Sequence, residues 1–210
     1  MSSPTITTRL RNKAPRSQST PRLVGTPTGQ HPQAMAIYHR IQDTYFTTAT
    51  IFNWQPLLTD DDYKSIITDS LDHLTSAGHV RVYAFVIMRN HIHLVWSIRR
   101  IKTLSEVKHS LLSYTSHRFL HKIRSDNSKY LSKFYVNKRD RKYQFWQRRS
   151  FDIPTVSQPF LLQKIDYVHR NPVKAGLAGN SYDYTYSSAQ SYHKGSATWK
   201  FLTLYKSEFI

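Results

Sequence analysis

With 210 residues, 39% of them hydrophobic, the chain is long enough to bury a core and fold as one domain with extensions, but not comfortably as two. Its formal charge of +17 and pI near 10.1 point to a polyanionic partner, nucleic acid ahead of an anionic membrane surface. The absence of cysteine excludes disulfides and thiolate chemistry and fits a reducing cytoplasm. No apolar run approaches the roughly 18 residues of a membrane span, and the start lacks the apolar stretch of a secretory signal.

Residues 1–34 are rich in Ser, Thr, Pro and Arg, carry Arg9, Arg11, Lys13, Arg16 and Arg22, and contain no acid. Such a segment cannot bury enough apolar surface to order itself and is expected to be a disordered basic arm. A folded domain is expected over 35–190, with 191–210 as a tail. Residues 38–53 mix β-branched and aromatic side chains in the manner of a strand. Thr59-Asp60-Asp61-Asp62 then supplies a cap and first-turn acids for a helix through Leu74, and Gly78 ends it. Strands follow at 80–88 and 91–98, and the short Arg89-Asn90 link predicts a hairpin. Thr103 or Ser105 opens a second helix whose apolar side carries Leu104, Val107, Leu111, Leu112 and Phe119. A fourth strand is expected at 143–151.

On the second strand of the hairpin stands His91-Ile92-His93. Alternate side chains on a strand share a face, so the two imidazoles point the same way and Ile92 points into a core. That is half of a metal site, or a pair of ordinary half-buried strand histidines. The spacing by itself leaves both open.

Residues 117–149 are dense in Lys and Arg, opposed only by Asp126 and Asp140, and are interleaved with Tyr130, Phe134, Tyr135, Tyr143, Phe145 and Trp146. Cations pair with phosphates and aromatic faces stack on unpaired bases, which makes this the expected nucleic-acid surface. Arg118, Lys122, Lys138, Arg139, Arg141, Lys142, Trp146, Arg148 and Arg149 are its candidate contacts. Phe145 and Trp146 lie on opposite faces of the expected strand, so one of them belongs to the core.

Leu161, Ile165 and Val168 recur at helical spacing and predict an amphipathic helix from Pro159 to about Arg170. Tyr167 and Asn171 lie one turn apart on its polar side. Pro172 and Gly176 are expected to stop the helix, leaving Asn171 in its last turn. His169 faces the core side and is expected to pack or hydrogen-bond rather than act as a base. Asp166 is read as a surface or salt-bridged acid. Tyr182-x-Tyr184-x-Tyr186 is read as part of an irregular segment packed on the domain.

Two motifs in this order, Met88-Arg89-Asn90-His91-Ile92-His93-Leu94 and Asp166-Tyr167-Val168-His169-Arg170-Asn171-Pro172-Val173-Lys174-Ala175-Gly176, carry a resemblance. Over about residues 37 to 190 the chain resembles the REP-associated tyrosine transposases, a branch of the HUH single-tyrosine transposases and nucleases. Arg89 departs from the family's usual proline, which alters the turn into the His strand. The resemblance implies a ferredoxin-like βαββαβ α+β fold, an antiparallel sheet with helices on one face, in agreement with the element order read above.

It also implies that Tyr167 attacks single-stranded DNA to form a 5′-phosphotyrosine, and that His91 and His93, with Asn171 as third ligand, hold a divalent ion, Mn²⁺ or Mg²⁺. Arg170 and Lys174 are the cations expected beside the phenol and the DNA. The implied partner is single-stranded DNA, with a hairpin or palindromic repeat as one candidate target. The protein is expected to be cytoplasmic (nucleoid-associated in a bacterium), away from membranes, and a monomer or weak homodimer. Two other readings stay open: a non-catalytic single-stranded nucleic-acid binding module, and a hydrolase that uses water, for which the acids needed as ligands and base are scarce.

Overall fold

A computed structural model of the chain describes residues 43–99, 101–126 and 129–205. The expected basic arm lies outside the described residues, as do residues 38–42 of the first expected strand. That strand is β1, Thr44–Thr50. Helix α1, Asp61–Ser76, starts where the sequence predicts. The Asp60 carboxylate accepts from the Asp62 amide at 2.9 Å, and Asp61 and Asp62 oppose the helix dipole. Gly78 follows with φ +72°, a conformation that costs glycine little. Strands β2, Val80–Ile87, and β3, His91–Ile98, form the expected antiparallel hairpin. Helix α2, Leu104–Asp126, opens on a reciprocal cap. The Thr103 amide donates to Glu106 Oε2 at 2.7 Å and the Glu106 amide to Thr103 Oγ1 at 3.3 Å.

Two short strands, β4 at Tyr135–Lys138 and β5 at Arg141–Tyr143, pair with each other outside the main sheet. The fourth strand of the sheet is β6, Phe151–Pro154, and not the 143–151 segment expected. That segment runs beside the end of β1 with a single bridge, Ile51 to Trp146. Its aromatic residues turn inward instead of alternating. Phe145 stacks on Phe134 with ring centroids 4.8 Å apart, and the Trp146 indole donates to Thr115 Oγ1 at 3.0 Å. Core burial of two adjacent aromatics outweighs strand periodicity there.

The sheet order is β2-β3-β1-β6, all antiparallel, as in a ferredoxin-like fold. On one face α1 and α2 bury Ile67, Leu71, Leu111 and Phe119 against Ile92, Leu94 and Trp96. The remaining long helix, α3 at Gln158–Lys174, lies on the opposite face. There Leu161, Ile165 and Val168 meet Phe46, Val86 and Val95. The two helices of the βαββαβ unit, α1 and α2, share one face as expected, and α3, which follows the unit, lies on the other. A βαββαβ sheet covered on one side leaves an apolar row on the other, which α3 covers.

Helix α3 also runs past its expected end. Pro172 is accommodated in the last turn, buried, where its missing amide costs one hydrogen bond near the helix end.

The domain does not stop at residue 190. A short helix, α4 at Ala189–Lys194, spans that boundary. Ser187 and Leu202 bridge Val86 and Val82 on the outer strand β2, protecting an edge that would otherwise pair with another chain. Phe201 and Leu202 are buried in the core on the α1 and α2 side. Truncating Phe201 to Ala is therefore expected to cost about 3 kcal/mol, the usual penalty for an aromatic-sized core cavity. Denaturant unfolding measures this, and an unchanged midpoint would show that the tail packs without stabilising. The hydroxyl of Tyr184 donates to the Ile87 carbonyl at 2.8 Å, so the tyrosine-rich segment packs on the domain as expected.

Tyr192 holds the tail to β2. Its hydroxyl donates to the Tyr83 carbonyl at 2.9 Å and accepts from the Tyr205 amide at 3.0 Å. Burial pushes its pKa up to about 12. The folded state thus keeps this proton to higher pH than the unfolded chain does. The associated stability is full below pH about 10 and is lost as pH rises towards 12, up to about 2–3 kcal/mol. Alkaline unfolding of wild type should be steeper across that window than that of Tyr192→Phe, and parallel curves would contradict the assignment.

Candidate functional site

The face of the sheet beneath α3 gathers the residues singled out from sequence. Thr48 of β1 lies directly across from His93 of β3, and its hydroxyl meets His93 Nδ1 at 2.7 Å. Phe46, two residues earlier on the same face, stacks on the His93 ring with centroids 5.4 Å apart. His91 and His93 share this face as strand alternation requires, with ring centroids 4.8 Å apart. Tyr167 of α3 meets His93 edge-on at 5.4 Å and Phe46 at 5.6 Å. It remains 39% exposed, so its phenol is reachable from solvent.

Asn90 determines the state of His91. The Asn90 amide nitrogen donates to the Trp54 carbonyl at 3.3 Å, which turns its carbonyl oxygen towards His91 Nδ1, 2.7 Å away. A carbonyl only accepts, so Nδ1 carries the proton and the lone pair of His91 lies on Nε2. Backing of this kind orients an imidazole for a ligand. Burial pushes the pKa of His91 down. Burial, then the neighbouring His91, push that of His93 down to about 3, against an opposing hydrogen bond to the Asn171 side chain. Both rings are neutral at pH 7, as metal ligation demands.

Asn171 lies one turn beyond Tyr167. Its amide nitrogen donates to the Tyr167 carbonyl at 2.7 Å, and the side chain also reaches the His93 ring. The donor set of two imidazole nitrogens and an amide oxygen fits a divalent cation, although it brings no negative charge. Among the described residues no group of three or more His, Cys, Asp or Glu could hold a metal, so a third side-chain ligand drawn from them would be a neutral one.

Helix α3 presents two lysines to the phenol. Lys164 Nζ is 5.8 Å and Lys174 Nζ 5.7 Å from the Tyr167 ring centroid. Lys174 was expected there; Lys164 was not, although its position three residues before Tyr167 makes it a neighbour on the helix surface. Arg170, the other cation expected beside Tyr167, turns instead to Asp166, 2.8 Å away. His169 packs as expected, its Nε2 2.8 Å from Ser188 Oγ and its ring against Tyr192.

The basic segment divides into residues that face solvent and residues already engaged. Arg118, Lys138, Arg139, Lys142, Arg148 and Arg149 are exposed. Lys122 is not available as expected, because it is tied to Asp62 at 2.6 Å and Asp126 at 2.9 Å. Those two carboxylates hold its pKa well above the usual lysine range. Arg141 pairs with Asp140, which the exposed Arg148 also approaches to 3.9 Å. Trp146 is 5% exposed and cannot stack on a base. Between α2 and residues 140–148 runs an open groove of about 750 Å³ whose walls include Arg124, Arg141, Lys142 and Arg148. Thr48, Phe46 and Trp54 were not singled out from sequence, since only strand register and a long-range loop contact bring them to the histidines; Asn90, quoted in the motif, was given no role there.

The sheet order defines the class, a ferredoxin-like α+β protein, in which two histidines of one strand lie beneath a helix that carries a tyrosine. No family model matches the chain, and no curated protein matches it. Among solved structures the chain has the fold of a REP-associated tyrosine transposase determined with a bound REP hairpin. The TM-score is 0.55 at 16% identity, over 77% of this chain and 86% of that one. A protein of Deinococcus radiodurans R1 assigned as a transposase shows a weaker likeness, TM-score 0.43 at 13% identity over 60% of this chain and 88% of that one. No helix among the described residues is long and apolar enough to cross a membrane.

Proposed function

We propose that the chain is a single-strand DNA transposase or endonuclease that cleaves and rejoins DNA through Tyr167. The observation that carries this reading is the convergence of His91, His93, Tyr167 and Asn171, from β3 and α3, on one solvent-reachable patch. A binding module would have no need of that combination. The phenol oxygen of Tyr167 attacks a backbone phosphorus, an O–P bond forms, and the bond to the 3′ oxygen breaks. The phenolic proton is released and the departing 3′ oxygen takes one up. The product is a 5′-phosphotyrosine with a free 3′ hydroxyl, which retains the phosphodiester energy for rejoining.

Lys164 and Lys174 lie where negative charge gathers on the phenol and phosphate oxygens. His91, His93 and Asn171 would hold a divalent cation, Mn²⁺ or Mg²⁺, which when bound acts as a Lewis acid on a phosphate oxygen. Because this donor set is neutral, the charge that favours the cation would come from the DNA phosphate, so metal and DNA are expected to bind cooperatively. The exposed cations Arg118, Lys138, Arg139, Lys142, Arg148 and Arg149 would contact the DNA backbone of a single strand or hairpin. Their contacts would make affinity fall with salt.

The test is incubation of the protein with end-labelled single-stranded DNA and Mn²⁺, followed by denaturing electrophoresis. A labelled band at the mass of the protein plus a DNA fragment is the expected result. Binding without that band would leave the chain a non-catalytic single-strand binding module.

A further inference from the structure

We infer that Trp54 is a stacking platform for an unpaired DNA base beside the His pair, a role that rests on the reading of this face as a single-strand DNA surface. Trp54 is 62% exposed, although it is the largest of side chains and a neighbouring core could bury it. Its ring meets His91 edge-on, with centroids 6.4 Å apart. One broad face is therefore left to solvent next to the residues that would receive a phosphate.

The backbone makes the exposure costly. Asn53 and Trp54 both take positive φ, +51° and +56°. Asparagine tolerates that region; a bulky tryptophan does so at a strain that is found mainly at functional sites. Three contacts hold it there: the Trp54 amide donates to the Ile51 carbonyl at 3.0 Å, the Gln55 amide to the Phe52 carbonyl at 3.2 Å, and the Trp54 carbonyl accepts from Asn90. Asn90 is also the residue that sets the tautomer of His91. One amide thus holds the ring platform and the phosphate-facing imidazole in a common frame. Glycine, the residue that this conformation favours, would relieve the strain and remove the platform. That separates stability from function in a single substitution.

The experiment measures binding by anisotropy in the Tyr167→Phe background with a chelator present, so that no cleavage intervenes. Two probes are used, a labelled single-stranded deoxyoligonucleotide and an abasic sugar-phosphate strand of the same length. Trp54→Gly is expected to keep or raise the melting temperature while weakening the base-bearing strand about tenfold, the effect of losing one stacked base. Affinity for the abasic strand should not change. Trp54→Phe should retain most of the affinity. Trp54→Asn, which also tolerates positive φ, should behave like Trp54→Gly and guards against a fold-specific artefact. Unchanged affinity for the base-bearing strand, or an equal loss on the abasic strand, overturns the inference and leaves the functional reading standing. Failure of the Tyr167→Phe parent to bind single-stranded DNA at all, with the chelator and with Mn²⁺ in its place, would bring down the functional reading itself.

Discussion

Tyr167→Phe is expected to abolish the covalent protein–DNA adduct while leaving folding and single-strand DNA affinity close to wild type. The substitution removes one oxygen from a ring that is 39% exposed, and the ring contacts with Phe46 and His93 survive in phenylalanine. Stability should therefore change by no more than about 0.5 kcal/mol, as for other surface replacements. The loss of cleavage should be complete within detection, because no other tyrosine in the described residues meets His93. Peptide mass analysis of the wild-type adduct should map the DNA to Tyr167. An adduct that persists in the variant, or maps to Tyr114 or Tyr130, would show that a different tyrosine is the nucleophile.

The second large effect is expected at the histidines. His91→Ala and His93→Ala should each remove cleavage and Mn²⁺ binding, the latter read by titration calorimetry in the presence of uncleavable DNA. DNA affinity measured without metal should be largely kept, since it resides in the exposed cations, and only the gain that Mn²⁺ brings should be lost. His93→Ala should also lower stability, because it empties space between Phe46, Thr48 and Tyr167, whereas His91, which is less buried, should cost less.

Asn171→Ala should weaken Mn²⁺ binding and slow cleavage, with excess Mn²⁺ restoring part of the rate. It also removes a hydrogen bond to the Tyr167 carbonyl, so Asn171→Asp is the informative companion. A carboxylate there adds charge to a neutral donor set and should tighten Mn²⁺ binding. Calorimetric traces identical in wild type and both His variants would remove the metal from the proposal.

What could be read from this chain alone is what depends on short range. The His91-x-His93 alternation, the Tyr167 to Asn171 turn, the caps of α1 and α2 and the hairpin at Arg89-Asn90 all follow from backbone periodicity and local hydrogen bonding. Each appears in the structure within a residue or two. The opposition of α3 to the other two helices was not legible, because an amphipathic helix declares that it has an apolar stripe and not which face of a sheet will cover it.

The same limit applies to Trp146 and Lys122. In sequence they belong to a basic aromatic run. In the fold one is drawn into the core beside Thr115, and the other is neutralised by Asp62, which lies far away along the chain. Trp54 and Thr48 reach the histidines only through the register of β1 against β3 and a contact from the following loop. Residue type and spacing set what each segment can offer; burial of shared surface, a property of the whole chain at once, decided which of those offers meet at the site.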